Sequence, residues 1–438
     1  MATGFSQILR CLAFATLALP IIAIWSRGAE DPKGFAIQLG LTYAVLLINV
    51  LLLARGPNRK WLFRLLSLQF ALLAAWLLLE SGAALGIVDY RLVFGTLGDE
   101  PWRNPLNRLD PELLHVHKPH QHLVGIQQGG DIAYHFHVPE RASYPYDVRY
   151  DCNGFRNETD LKKADIILVG DSLIEATSVS QSETLAALLE KDQNAVVANL
   201  GQLWYSPIQE LIVLKRYGLP LKPRLCIWAF FSGNDLSDIR RYQTAMQDWP
   251  GTSASFHSLP ARSFSKNALL AAFHRWGKPA RLPDGLQRAA DFHAPDGKST
   301  RIYLYYPDPP MDDENLRSLA VAEKVFLDAW NLLKTEGISL LVVYIPTKFR
   351  VYHELCTFPV GSECFSWRES DLPVRLRKML TSISPEICFL DLTDPMRESA
   401  RRGALLYWPD DTHWTPAGNR AAATAIHSFL QTNPSLTH

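Results

Sequence analysis

The chain has 438 residues, 47% of them apolar, with 44 basic and 44 acidic side chains and no formal net charge. That balance excludes both a disordered tail and a basic nucleic-acid binder, and the length allows two or three domains. A mean hydropathy of −0.04 hides a split. Residues 11–84 are overwhelmingly apolar and the remainder reads as globular, which excludes a wholly cytosolic protein.

Three apolar runs come first: Cys11 to Trp25, which contains Pro20; Ala36 to Ala54, without a charge; and Leu65 to Leu79, continuing through Glu80. A bilayer core takes about 20 helical residues, so residues 1–85 are expected to form about three transmembrane helices. Arg55, Arg59, Lys60 and Arg64 lie between the second and third runs with no acid among them. Positive loops stay cytoplasmic, so everything after residue 85 is expected outside, with the bacterial cell membrane as the location and the lipid bilayer as a partner.

Residues 86–163 form a connecting segment rich in His, Pro and Gly. Six histidines crowd it: His115, His117, His120, His122, His135 and His137. Alternation at 115/117 and 135/137 puts each pair on one face of a strand. A zinc site and a polar, membrane-proximal hairpin are the two readings, and no Cys pair or His-Glu-x-x-His helix supports the metal.

From Asp165 short apolar runs alternate with helical stretches. Strands are expected at 166–169, 195–198, 225–231, 340–345 and 387–392. Helices are expected at 184–189, 207–217, 313–334, 371–380 and 416–430, the last with Thr415 as cap and Pro416 in the first turn. Strands that are apolar throughout and alternate with helices predict an α/β domain over 164–432, its parallel sheet covered on both faces. Residues 236–312 interrupt the rhythm and are expected to be an insertion acting as a lid or substrate wall.

Ligands of such sheets bind at the carboxyl ends of the strands. Those ends carry Gly170-Asp171-Ser172-Leu173, Asn199-Leu200-Gly201 and Gly233-Asn234-Asp235, and the loop before the last helix carries Asp410-Asp411-Thr412-His413-Trp414. The inventory suits acyl transfer. Ser172 would be the nucleophile, His413 the base that takes its proton, and an aspartate the group that orients the imidazole. The N–H groups of Ser172 and Gly201 and the amide of Asn234 would face the oxyanion. Taken singly these residues are a turn, a strand terminator, a helix cap and a loop histidine; their order at successive strand ends is what argues for a site.

Gly170-Asp171-Ser172-Leu173, Gly201, Asn234 and the His413 loop resemble the four signature blocks of the SGNH (GDSL-type) hydrolase superfamily. Asn153-Gly154-Phe155-Arg156, Ile345-Pro346-Thr347-Lys348 and Asp411-Thr412-His413-Trp414-Thr415 resemble its membrane-associated branch related to alginate O-acetyltransferases. The resemblance implies a three-layer, flavodoxin-like sandwich, ester hydrolysis or acyl transfer, and neither metal nor cofactor. It implies Ser172 as nucleophile, His413 as base, and Gly201 and Asn234 as oxyanion donors. For the acid, many relatives use the position three before the histidine, Asp410. The Asp-Thr-His-Trp string favours Asp411, and both stay open. Glu175 stands where relatives often carry Gly or an aromatic, and its effect is open.

The expected substrate is an O-acylated, often acetylated, saccharide of the envelope or another ester. A transferase would need a membrane partner that supplies acyl groups. A non-catalytic carbohydrate-binding or assembly protein on the same scaffold is the alternative. Lys348 and Arg350 are either channel cations or solvated charges. Cys356 and Cys364 are either a disulfide or two free thiols.

Overall fold

The computed structural model describes residue 42 and residues 59–94, 104, 106–136, 138, 142–248, 262–276 and 285–436. The chain divides into two compact units, residues 1–103 with 250–278, and residues 104–249 with 279–438.

In the first unit, Arg59–Ala84 is one helix, followed by the short helix Tyr90–Phe94, and Phe264–Trp276 is a third. The buried Glu80 accepts the backbone N–H groups of Phe264 (3.2 Å) and Ser265 (2.8 Å), and the Trp76 indole donates to Ser265 Oγ at 2.6 Å. A carboxylate is welcome where four N–H groups lack intrahelical acceptors, which accounts for an acid inside an apolar run. The first two expected spans lie outside the described residues except for Thr42, and the third falls in Arg59–Ala84. Among the described residues no helix is long and apolar enough to cross a membrane.

The second unit is built on a five-stranded parallel sheet: β1 (Ile166–Val169), β2 (Val197–Asn199), β3 (Leu225–Phe231), β4 (Ser339–Ile345) and β5 (Cys388–Asp391). The spatial order is β2-β1-β3-β4-β5, with Ile166 opposite Leu225 and Leu225 opposite Ser339. Because side chains alternate along a strand, each strand feeds two cores. Leu225, Ile227, Ala229 and Phe231 enter one, with Leu341, Val343 and Ile345; Cys226, Trp228 and Phe230 enter the other, with Leu340, Val342 and Tyr344. This is the expected SGNH-like α/β sandwich with its sheet covered on both faces.

The covering helices follow from apolar spacing and caps. Asp313–Thr335 buries Ala322, Val325, Phe326, Ala329 and Leu333, a stripe at three- and four-residue intervals. Its cap, Asp312, accepts the N–H of Asn315. Leu185–Gln193 and Pro416–Thr432 are capped by Thr184 and Thr415 in the same way.

Residues 236–312 are shared between different structures. The helix Asp235–Asp248 stays in the second unit, residues 250–278 belong to the first, and Ala289–His293 pairs with Ser299–Tyr303 and Cys356–Thr357 in a small antiparallel sheet. Cys356 and Cys364 are free thiols rather than a disulfide.

Candidate active site

β1 ends in Gly170, and the chain turns at once into the one-turn helix Ser172–Glu175. Asp171 caps it, its carboxylate accepting the Leu173 N–H at 3.0 Å, and Ala176 closes it in the left-handed region at φ 58°. As the first residue of the turn, Ser172 has an N–H without an intrahelical acceptor.

Groups from both sides hold this elbow in place. Arg156, fully buried, donates to the carbonyls of Glu175 (3.0 Å), Val179 (2.6 Å) and Ala176. Asn199, at the end of β2, donates from Nδ2 to Ile174 O at 2.7 Å. Gly201 passes so close that a Cβ there would stand 2.5 Å from the Glu175 nitrogen, so only glycine fits. Glu175 itself is fully buried. Its Oε1 accepts from His117 Nε2 (2.8 Å) and the Tyr150 hydroxyl (2.6 Å), and its Oε2 from the Leu203 N–H. Burial pushes its pKa up, but His117 and these hydrogen bonds outweigh that and bring it down to about 2. The residue left open in the sequence is thus an anchor between the elbow and the connecting segment.

The second loop runs from Tyr407 to Trp414, two residues that bridge antiparallel. Within it, Trp408 and His413 share a backbone hydrogen bond, Trp408 N–H to His413 O at 3.1 Å. His413 Nδ1 donates to Asp411 Oδ1 at 2.5 Å, and its Nε2 lies 2.9 Å from Ser172 Oγ. Asp411 and Asp410 are thereby separated. Asp410 faces away and accepts the N–H groups of Ala142 (3.0 Å) and Gly130 (3.3 Å). Asp411 Oδ2 accepts the Tyr144 hydroxyl at 2.9 Å, and Tyr144 stacks on Trp408 with ring centroids 4.4 Å apart. Burial raises the Asp411 pKa, but the His413 charge and hydrogen bonds bring it well below the usual carboxylate range. Burial lowers that of His413, and Asp411, with Asp131 and Asp171 beyond it, raises it to about 9.

Lys348 is neither a channel cation nor a solvated charge. It is buried, and its ammonium donates to the carbonyls of Trp408 (2.6 Å), Pro409 (2.8 Å) and Asp411 (3.3 Å), bracing the loop from beneath. Burial lowers its pKa to about 8. Arg350 is likewise internal, paired with Asp308 at 2.5 Å and Glu369 at 3.1 Å.

The expected oxyanion residues stand at the ends of β2 and β3. The Gly201 N–H donates to Asn199 Oδ1 at 2.9 Å. The Asn234 side chain lies against the Asp171 carboxyl, and its Oδ1 is buried without a hydrogen-bond partner.

The histidine cluster separates into structural roles. His115 is buried, donates to Leu203 O at 2.9 Å and is driven by burial to a pKa of about 3. His117 holds Glu175, while His122 and His120 face Asp147 and Asp160 on the surface. His135 packs on Tyr134 and Tyr305, and His137 lies outside the described residues. Among the described residues the set with metal-ligand spacing is Asp131, Asp411 and His413.

Asp131 is the residue that sequence reasoning missed. It opens the helix Asp131–Phe136 and receives the Thr412 N–H at 2.9 Å and the Thr412 hydroxyl. Just before it, Gly130 sits so close to Asp411 that a Cβ would collide with the Asp411 side chain. The signal was Gly129-Gly130-Asp131 after a strand-like run, overshadowed by the neighbouring histidines.

A hydroxyl, an imidazole and a carboxylate in one hydrogen-bonded line can activate an oxygen nucleophile. Residues 309–438 match the family described as the SGNH hydrolase-like domain, acetyltransferase AlgX. The C-terminal part of the chain is thus similar to an SGNH hydrolase-like domain. The class of its chemistry is that of an esterase or acyltransferase. The match takes in Asp410, Asp411 and His413, while Ser172, Gly201 and Asn234 lie before it. No curated protein matches the chain. Among solved structures, it is similar to a GDSL-like lipase from Bacteroides thetaiotaomicron, with 12% identity over 61% of this chain and 88% of that one at a TM-score of 0.29. It is similar to an acetyl-xylooligosaccharide esterase from Geobacillus, with 12% identity over 62% and 94% at 0.31. An acetyl xylan esterase from the rumen bacterium Butyrivibrio proteoclasticus shares 10% identity over 73% and 89%, also at 0.31.

Proposed function

We propose that the SGNH domain is a serine O-acyltransferase or esterase, anchored in the bacterial cell membrane and working outside the cytoplasm on acetyl esters of an envelope or exported saccharide. The observation that carries the chemistry is the Asp411–His413–Ser172 line, with spacings of 2.5 and 2.9 Å. The acetyl group is suggested by the match to the acetyltransferase AlgX family, and the saccharide by the resemblance to alginate O-acetyltransferases.

Ser172 Oγ attacks the ester carbonyl while its proton passes to His413 Nε2. The imidazolium is stabilised by Asp411, which also fixes the tautomer. The tetrahedral oxyanion is met by the Ser172 N–H and the Asn234 amide, with the Gly201 N–H as a third donor when it exchanges Asn199 for substrate. His413 returns its proton to the leaving alcohol. The acyl-enzyme is then released to water, giving hydrolysis, or to a sugar hydroxyl, giving transfer.

Anchoring is supported by the three apolar runs before residue 85, by the four-cation loop, and by the exposed Leu68, Leu72, Leu77 and Leu78 on Arg59–Ala84. A transferase anchored in this way takes its acyl groups from a membrane partner.

The test of the chemistry is a serine-directed fluorophosphonate applied to the detergent-solubilised chain, with the adduct located by peptide mass spectrometry. Labelling at Ser172 that disappears in Ser172→Ala and His413→Ala is the expected result. A folded protein that takes no label sinks the proposal. Reporter fusions after residues 30, 57 and 100 test the topology, and a cytoplasmic signal at the last overturns the location.

A further inference from the structure

Asp131 reaches the acid–base loop from a segment about 280 residues earlier in the chain. Its two carboxylate oxygens clasp the N–H and the hydroxyl of Thr412, the residue between Asp411 and His413. It also offers an oxygen within 4.8 Å of the ligating atoms of both Asp411 and His413. An acid that served only to tie down a turn could do so from the solvent side; this one sits beside a second carboxylate, where like charges repel. Such placement is unfavourable unless a cation faces both.

We infer that Asp131 is a second carboxylate for His413, a positioning residue that holds the Asp411-Thr412-His413 turn and adds its charge to that of Asp411 when the imidazole becomes positive. The inference rests on the Ser172–His413–Asp411 reading. Burial and the Asp411 charge raise the Asp131 pKa to about 7, and the His413 charge acts in the opposite direction, so a positive imidazole favours the Asp131 anion. The groups facing it are Asp410, Asp411 and His413 of the loop, Lys348 beneath it, Tyr144 of the strand Ser143–Arg149, Tyr306, and Asp171 of the elbow. Lys348 is committed to three carbonyls, and the other facing groups are acids and hydroxyls. The imidazolium is therefore the cation that Asp131 meets most directly.

Asp131→Asn keeps an acceptor for the Thr412 N–H and removes the charge. Thr412→Val removes the hydroxyl bond and keeps the charge. The pH dependence of fluorophosphonate labelling at Ser172 should separate them. Asp131→Asn should move the rising limb to lower pH by about one pH unit, the size expected of a charge lost within about 4–6 Å. Thr412→Val should lower the rate several-fold and leave the limb in place. A limb unmoved in Asp131→Asn, or moved equally in Thr412→Val, overturns the inference. NMR of the His413 ring provides a readout that needs neither turnover nor a folded variant. In the wild-type protein the ring signals should follow two linked ionisations, whereas a single-step titration overturns the inference. Two steps in a protein that never labels at Ser172 would uphold Asp131 while removing the acyl-transfer reading.

Discussion

The elbow and the acid–base loop deliver their residues to the same point but are held in place differently. The elbow is fixed mainly by its own cap and its neighbours at the strand ends. Asp171 caps it, Asn199 and Gly201 come from the adjoining strand end, Arg156 holds its carbonyls, and Glu175 ties it to His117, Tyr150 and Leu203. The loop 407–414 makes few backbone bonds of its own and is positioned by side chains from far away: Lys348 from the end of β4, Tyr144 and Asp131 from the connecting segment. A nucleophile on a tight turn needs one conformation, which local sterics can enforce. A base that changes charge needs its surroundings arranged, and that takes groups from several elements.

The comparison breaks most severely at the reacting atoms. Ser172→Ala or His413→Ala should reduce turnover of a small activated acetyl ester by at least 10³-fold, given losses on the order of 10⁶ in a characterised serine protease. Asp411→Asn should cost about 10⁴ through the wrong tautomer. Asp410→Asn, whose carboxylate accepts the N–H groups of Gly130 and Ala142 rather than His413, should stay within about tenfold, since a lost hydrogen bond is worth about 1–2 kcal/mol. Equal losses at 410 and 411 would erase the distinction between them.

Support of the elbow is tested by stability. Glu175→Ala strips a buried partner from His117 and should cost about 3–5 kcal/mol, seen as a lower Tm. The folded pKa of Glu175, about 2, is below the unfolded value of about 4.3. Its stabilisation is therefore full above about pH 4.3 and lost as pH falls through about 2. Acid unfolding of the variant should lack that component, and identical acid limbs would show that the pair carries no net stability.

The loop is tested by pH and by its brace. With His413 raised to about 9, ester hydrolysis should climb with pH up to about 9, because only the neutral imidazole accepts the Ser172 proton. Asp411→Asn should bring that limb to lower pH, and an unmoved limb would assign it to another group. The brace is tested by Lys348→Met. Loss of its bonds to the loop carbonyls should lower kcat and the rate of fluorophosphonate labelling at Ser172 together, by about tenfold.

Much of the second unit was legible because its signals are local. Continuous apolar runs announced strands buried on both faces, and residues at successive strand ends shared an edge because a parallel sheet puts all its carboxyl ends together. Ser172 and His413 could be picked out on that basis, with Asp410 and Asp411 both left as candidates for the acid. Glu175 could be seen but not explained, since its partners His117, Tyr150 and Leu203 come from other elements. Asp131 was passed over because no spacing links it to His413. Residues 236–312 were read as one insertion, yet Phe264–Trp276 packs with the helix of Glu80 while Ala289–Tyr303 joins Cys356–Thr357.

By itself, then, the sequence determined the strand rhythm, the sheet with two cores and the sheet edge that Ser172 shares with the His413 loop, because these depend on periodicity and on neighbours in the chain. Only the tertiary structure decided between Asp410 and Asp411, buried Lys348 under the loop and brought Asp131 to Thr412. Those outcomes depend on which groups share a desolvated space, and burial sets charge and hydrogen bonding between residues that the chain keeps hundreds of positions apart.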